Sequence, residues 1–190
     1  MNRKLKIGIR KQFKCRPFFV TAGNIPRLKV RLKNKREIGA DRVVDALAAL
    51  TLYKGPCLVV DFGTATTFDA ISARGEYLGG AIAPGIVLAR DALYEQAAKL
   101  PRIKISAPQE VIGKNTVSAM RSGLVYGYVA MVEGMVARIR SRIKTQRSKT
   151  KIIATGGLAK LICKYTKVVD KIDAKLTLKG LRMVGDALAI

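Results

Sequence analysis

Residues 57–84 leave this chain little choice of local structure. CLVVDFG is an apolar run closing on an acid and a glycine. TATTFDAIS is threonine-rich and alternating, and YLGGAIAPG runs into a second glycine turn. Short β-branched runs bounded by turn residues read as strands. The Arg74-Gly75-Glu76 turn is too short for a crossover, so it joins antiparallel neighbours. The segment predicts a meander of three antiparallel strands.

The flanking sequence sets the fold class. From Glu37, Ile38, Val43, Val44, Ala46, Leu47, Ala48 and Leu50 recur at helical spacing until Lys54-Gly55-Pro56 breaks the chain. Residues 86–99 read as a helix and 100–110 as irregular chain. Asn115 or Thr116 can cap a long helix reaching about Ile143. IIATGG then reads as a buried strand, LAKLIC as a short helix, VVDKI as a last strand and Leu176 to Leu188 as a closing helix. Upstream, RPFFVT (16–21) and LKVRLK (28–33) predict two more short strands. A meander followed by alternating helix and strand is an α/β order.

Composition excludes several chemistries. The chain has no His, which removes Ser-His-Asp and Cys-His catalysis and His-ligated zinc. Cys15, Cys57 and Cys163 stand singly and match no disulfide or metal framework. Reduced thiols and no signal-peptide pattern lead to an expectation of a cytoplasmic protein. The apolar stretch Gly123–Ala137 is shorter than the roughly 20 residues a span needs, and Glu133 interrupts it, so a buried helix and no membrane partner are expected. Net charge is +23. Residues 1–36 carry thirteen basic groups and no acid, and a second basic run covers Arg138 to Lys151. Such charge suits anionic partners. Without interleaved aromatics for base stacking, nucleic acid is not the expected one.

Three short motifs carry chemistry. In Asp61-Phe62-Gly63-Thr64-Ala65-Thr66-Thr67 a strand delivers an acid to a tight turn, and Gly63 lets the backbone approach an anion closely. Thr64, Thr66 and Thr67 add hydroxyls. A strand follows the turn instead of a helix, and the Gly113-Lys114-Asn115-Thr116 run lacks the upstream glycine of a Walker loop, so any phosphate would be held by a hairpin. In Gly39-Ala40-Asp41-Arg42, Asp41 lies in the first helical turn, where the helix dipole favours its charge, and Arg42 can grip a carboxylate or phosphate. Thr155-Gly156-Gly157 ends the IIAT strand, where glycines let a base or ribose lie against the backbone. An ordinary hairpin, helix start and strand-to-helix turn would each explain one motif alone.

Taken in order, IGADRVVDALAAL, VVDFGTATTFDAISARGEYLGGAIAPGI, IGKNTVSAMRSGLVYGYVAMVEGMVARI, ATGGLA and LTLKGLRM resemble the type III pantothenate kinases over nearly the whole chain from about Pro17. The resemblance implies an actin-like (ribonuclease H-like) ATPase fold with a complete second lobe and part of a first. Residues 1–54 would be the remnant of the first lobe and 55–190 the second. It implies ATP-dependent phosphorylation of pantothenate, the first step towards coenzyme A. Gly39, Ala40, Asp41 and Arg42 would line the pantothenate site, with Asp41 as general base. Asp61 would hold a monovalent cation, potassium or ammonium. Gly63, Thr64 and Thr66 would meet ATP phosphates, with magnesium accompanying the nucleotide, and Gly156 and Gly157 would lie against the adenosine. Thr116 would reach substrate across a homodimer interface built on the helix carrying Gly123, Gly127 and Gly134.

The family pattern also includes an Asp-x-Gly-Asn-Thr hairpin for phosphate and magnesium, and no such motif occurs in these residues. Asn34 is followed by Lys35 where the family has Asn-Pro. The expectation is a chain with little kinase turnover alone, whether it is a truncation, a split enzyme completed by an N-terminal piece, or a decayed homologue. The alternative is a non-catalytic regulatory or nucleic-acid-binding relative of the Bvg accessory factor.

Overall fold

The computed structural model describes residues 2–143 and 149–189. The basic run expected over Arg138 to Lys151 therefore lies partly outside the described residues. One six-stranded sheet organises the chain, in the order β1-β4-β3-β2-β5-β6. Its members are β1 (Lys29–Val30), β2 (Cys57–Phe62), β3 (Ala65–Ile71), β4 (Glu76–Pro84), β5 (Lys151–Thr155) and β6 (Lys171–Ile172). The meander β2-β3-β4 is antiparallel as expected. β5 joins β2 in parallel, β6 joins β5 in parallel, and β1 lies parallel to β4. This mixed sheet with helices on both faces is the α/β class that the sequence pointed to.

Strand alternation divides the apolar residues between two cores. Leu58, Val60, Phe62, Phe68, Ile152 and Ala154 face one side. There they meet α3 (Ile86–Gln96), α4 (Thr116–Ser122), α5 (Tyr128–Ile143) and α6 (Ala159–Ile162). Cys57, Val59, Ile71, Tyr77 and Ile153 face the other side, under α2 (Ala40–Tyr53) and α7 (Leu176–Leu188). α2 is nearly all apolar below its first turn, with Val43 to Ala49 buried without a break. Gly180 of α7 lets the two helices touch, because a Cβ there would stand 2.2 Å from the Val44 carbonyl oxygen. The division expected between 54 and 55 falls between α2 and β2, which pack in one core.

Three expectations need correction or refinement. RPFFVT is irregular chain and not a strand. It pairs with neither edge strand of the sheet, β1 or β6, and strand propensity without a partner does not make a strand. LKVRLK pairs only through Lys29 and Val30. The long helix is real but not uniform: a capping box at Asn115 and Ser118 starts α4, and Gly123–Gly127 forms a π-helical turn before α5. Glycine pairs favour such a local widening. Ahead of all this, Asn2–Phe13 forms a helix, α1.

Candidate functional site

The sheet reverses its winding between β2 and β5: the meander grows to one side of β2, while β5 and β6 grow to the other. Ligands of open α/β sheets settle beyond the carboxyl ends of strands at such a switch point. Asp61 and Thr155 are paired at those two ends. Gly156 follows with φ +90°, and a Cβ there would lie 2.2 Å from Asp61 Oδ1 and 2.7 Å from the Phe62 backbone. Only glycine lets the β5 turn close on the Asp61 carboxylate. The next residue, Gly157, is exposed with open space where a side chain would be.

Beside this pair the β2–β3 turn is tightly fixed. The Gly63 N–H donates to the Ala65 carbonyl at 3.1 Å, and the Gly85 N–H donates to the Thr64 carbonyl at 3.0 Å. Thr64 itself is exposed. Phe62, Gly63, Thr64, Leu88, Gly157 and Leu158 line an open cavity of about 440 Å³. Gly63, Thr64, Gly156 and Gly157 are therefore brought together. Thr66 is not with them. It is fully buried, and its hydroxyl is hydrogen-bonded to the Tyr128 hydroxyl of α5. Alternation along β3 turns Thr66 into the core and Thr67 to the opposite face, so the expected contact of Thr66 with ATP is corrected.

On that opposite face, Asp61, Thr67 and Asp69 share one side of β2 and β3, since Asp61 pairs with Thr67 across the strands. The N-terminal turn of α2 roofs them. Gly39 caps the helix with extended backbone, and a Cβ on it would fall 2.3 Å from Asp41 Oδ1, so the exposed Asp41 carboxylate folds back over the cap. The Asp61 pKa is raised by burial, then by the negative charges of Asp41 and Asp69. The start of α2 thus lies near enough to the tip of β2 for the Asp41 charge to act on Asp61. The neighbouring depression, about 570 Å³, is lined by Val20 to Gly23, Lys35, Arg36, Ile38 and Ala40.

Arg42 is held inside the site. Its guanidinium lies over the Tyr77 ring at 6.0 Å and is fixed to Asp69, which is 1% exposed. Burial alone would lower the Arg42 pKa, but the hydrogen bond and charge of Asp69 outweigh it and raise it. Gly80, opposite Asp69 on β4, makes room: a Cβ there would be 3.1 Å from the guanidinium and would collide with the Phe68 carbonyl. The Nε edge of the Arg42 fork is therefore already taken by Asp69, and the Nη end is the part left for an anion.

Two acids in this site were not singled out from the sequence. Asp69 follows Asp61 and Thr67 by strand alternation, and Asp45 follows Asp41 by one helical turn; both spacings were readable. Asp45 is 2% exposed and its Oδ1 has no hydrogen-bond partner among the described residues. Burial pushes its pKa up to about 7, the Thr177 hydroxyl works against this, and the charges of Asp61, Asp69 and Asp41 add to it. Among the described residues no group of three or more acids or cysteines has metal-binding geometry. At Asp61 the absence of a side chain on Gly156 leaves the carboxylate uncrowded, as the lone acidic group that a cation would meet there. Thr116 stands elsewhere, exposed at the start of α4, with no hydrogen bond to these side chains among the described residues.

Comparison with known proteins places this geometry. In a solved structure from Campylobacter jejuni, a chain assigned to the Baf family of transcriptional activators matches with TM-score 0.67 and 21% identity, covering 100% of this chain and 80% of that one. Component A of (R)-2-hydroxyglutaryl-CoA dehydratase from Acidaminococcus fermentans gives TM-score 0.43 and 14% identity over 78% of this chain and 66% of its own. The activator of the 2-hydroxyisocaproyl-CoA dehydratase from Clostridium difficile, solved with bound ADPNP, gives 0.40 and 12% over 85% and 75%. The first of these shares the fold. A family model, type III pantothenate kinase, matches residues 1–138, the part that carries α2, the meander and the Asp61 turn. The chain belongs to the type III pantothenate kinase family.

Proposed function

We propose that this chain binds pantothenate and ATP at the crevice between the start of α2 and the tips of β2 and β5, as the substrate- and cation-holding part of a pantothenate kinase. The observation that carries this is that Arg42, at the start of α2, is hydrogen-bonded to Asp69 on the face of β2 and β3 that also carries Asp61. ATP with magnesium supplies the transferable phosphoryl group and the neutralisation of its charge. Such transfer depends mainly on positioning and electrostatics. Asp41, exposed at the helix start, accepts the proton of the substrate hydroxyl. The free end of the Arg42 fork holds the substrate anion. Asp61, seated on Gly156, takes a potassium or ammonium ion, while Gly63 and Thr64 offer backbone and hydroxyl groups to phosphate.

These residues hold no Asp-x-Gly-Asn-Thr hairpin, and turnover depends on such an element being supplied to the crevice. The chain acts as a homodimer in this reading. Gly123 and Gly127, one helical turn apart, are exposed, and added Cβ atoms there would meet nothing within 4 Å of the same subunit, which leaves that stripe open to a close partner helix. A cytoplasmic location goes with this reading.

Calorimetric titration of pantothenate, followed by an ATP-dependent phosphorylation assay, tests the proposal. Binding that weakens at least tenfold in Arg42→Ala supports it, and no binding by the folded chain refutes it. The net charge of +23 favours a second reading, nucleic-acid binding by a regulatory relative. A salt-dependent shift of duplex DNA, with no affinity for pantothenate, would select that one.

A further inference from the structure

α1 (Asn2–Phe13) is a 12-residue helix whose side chains sort by face. Leu5, Ile9 and Phe13 recur at i, i+4 and i+8 and form one apolar stripe. Arg3, Lys4, Lys6, Arg10 and Lys11 occupy the rest of the circumference, with Ile7 the one apolar residue among them. The two ends of the stripe are uncovered, with Leu5 51% and Phe13 71% exposed, while Ile9 between them is half-buried. None of these apolar residues joins either core. Lys6 reaches back to the body, with its Nζ 5.4 Å from the centre of the Phe19 ring.

A helix of this length is marginal in water unless its apolar face is covered. A second copy is a poor cover, because residues 1–36 hold thirteen basic groups and no acid, and two such segments repel. Nucleic acid would satisfy the lysines and leave Leu5, Ile9 and Phe13 wet. A lipid surface rich in anionic headgroups satisfies both faces at once, taking the apolar stripe into the acyl boundary and the basic arc against phosphates and carboxylates. At about 1.5 Å per residue the helix is far too short to cross a bilayer, and no described helix is long and apolar enough to do so.

We infer that α1 docks the protein on anionic membrane surfaces, lying in the plane of the interface. This departs from the expectation of no membrane partner. That expectation weighed only spanning segments, and the stripe becomes visible once Asn2–Phe13 is known to be helical. The inference is independent of the kinase reading.

Co-sedimentation of the full chain with vesicles tests it. At physiological ionic strength, about tenfold more protein should bind phosphatidylcholine vesicles containing phosphatidylserine than vesicles of phosphatidylcholine alone. Leu5→Ser with Phe13→Ser keeps every charge and should lose about tenfold of that binding. The chain has no Trp, so Phe13→Trp gives a single fluorophore whose emission should shift to the blue on the anionic vesicles. Binding unchanged by the double serine variant would show that the charged body alone attracts lipid, and would overturn the proposal. So would a fluorophore that stays in water, or no vesicle binding at all. A DNA shift that needs Lys4, Lys6 and Lys11 without vesicle binding would assign the helix to nucleic acid. A dimer abolished by the serine variant without vesicle binding would assign it to a second copy.

Discussion

Asp69 Oδ1 accepts a hydrogen bond from Arg42 Nε at 2.8 Å, and an Arg42 Nη stands 2.7 Å from the same oxygen as an ion pair. The Tyr77 hydroxyl donates to the same oxygen at 2.7 Å, and the Thr67 hydroxyl to Oδ2 at 2.9 Å. Burial raises the Asp69 pKa against the lowering effect of these partners. The arrangement fixes the direction of the remaining Arg42 donors before any substrate arrives, which is how a binding fork is preorganised.

Breaking this pair leaves an uncompensated charge in a buried place. Asp69→Asn and Arg42→Met should each cost about 3 kcal/mol in urea unfolding. The double variant should cost less than the sum by at least about 1 kcal/mol, because the second change removes the group that the first one stranded. Strict additivity would mean that the two side chains do not depend on one another.

Asp45 carries a pH dependence whose sign is fixed by its surroundings. Its folded-state pKa is about 7 against an ordinary 3.8. Between those values the folded chain keeps a proton that the unfolded chain has released, so stability falls as pH rises through that window and the loss is complete above about pH 7. The full effect is on the order of 2–4 kcal/mol. Asp45→Asn should therefore be nearly neutral at pH 4 and stabilising at pH 8, raising Tm there by several degrees. A variant that is equally destabilised at both pH values would show that the carboxylate is charged throughout.

The legibility of these features in the sequence follows from their range. The meander, α2, α3, β5 and α7 were readable because each depends on local periodicity and turn residues between Glu37 and Leu188. Gly63, Thr64, Gly156 and Gly157 converge because they sit at strand ends, and strand ends are marked by glycine. RPFFVT failed for the opposite reason, since a strand needs an edge and sequence shows no edge. Thr66 was misread by looking at the hydroxyls of one turn without applying the alternation that hides every second one. Asp69 went unnoticed because its meaning depends on Arg42, 27 residues away. Burial of a carboxylate becomes visible only when its partner is in place.

Thr66 and Tyr128 make a buried hydroxyl pair linking β3 to α5. Tyr128→Phe should cost about 1–2 kcal/mol by stranding the Thr66 hydroxyl in the core. Adding Thr66→Val to it should recover part of that loss, because no unpaired polar group remains. Neither change should alter nucleotide affinity, measured with a fluorescent ATP analogue. A selective loss of ATP binding in Thr66→Val would return this hydroxyl to the site.

Adjacent glycines at the end of β5 should respond differently to the same methyl group. At Gly156 an added Cβ meets Asp61 Oδ1 at 2.2 Å and the Phe62 backbone at 2.7 Å, from a backbone with φ +90°. The Phe62 backbone cannot move without pulling β2 from β5, so Gly156→Ala should lose more than about 2 kcal/mol of stability. At Gly157 an added Cβ meets nothing within 4 Å, and Gly157→Ala should stay within about 0.5 kcal/mol of the parent. Yet Gly157 lines the cavity beside Thr64. If an adenosine group lies flat against that backbone, the methyl stands between them, and affinity for the ATP analogue should fall at least about tenfold with stability intact. Unchanged affinity in Gly157→Ala would remove this turn from the nucleotide site, and because the variant folds, that answer does not depend on the fate of Gly156→Ala.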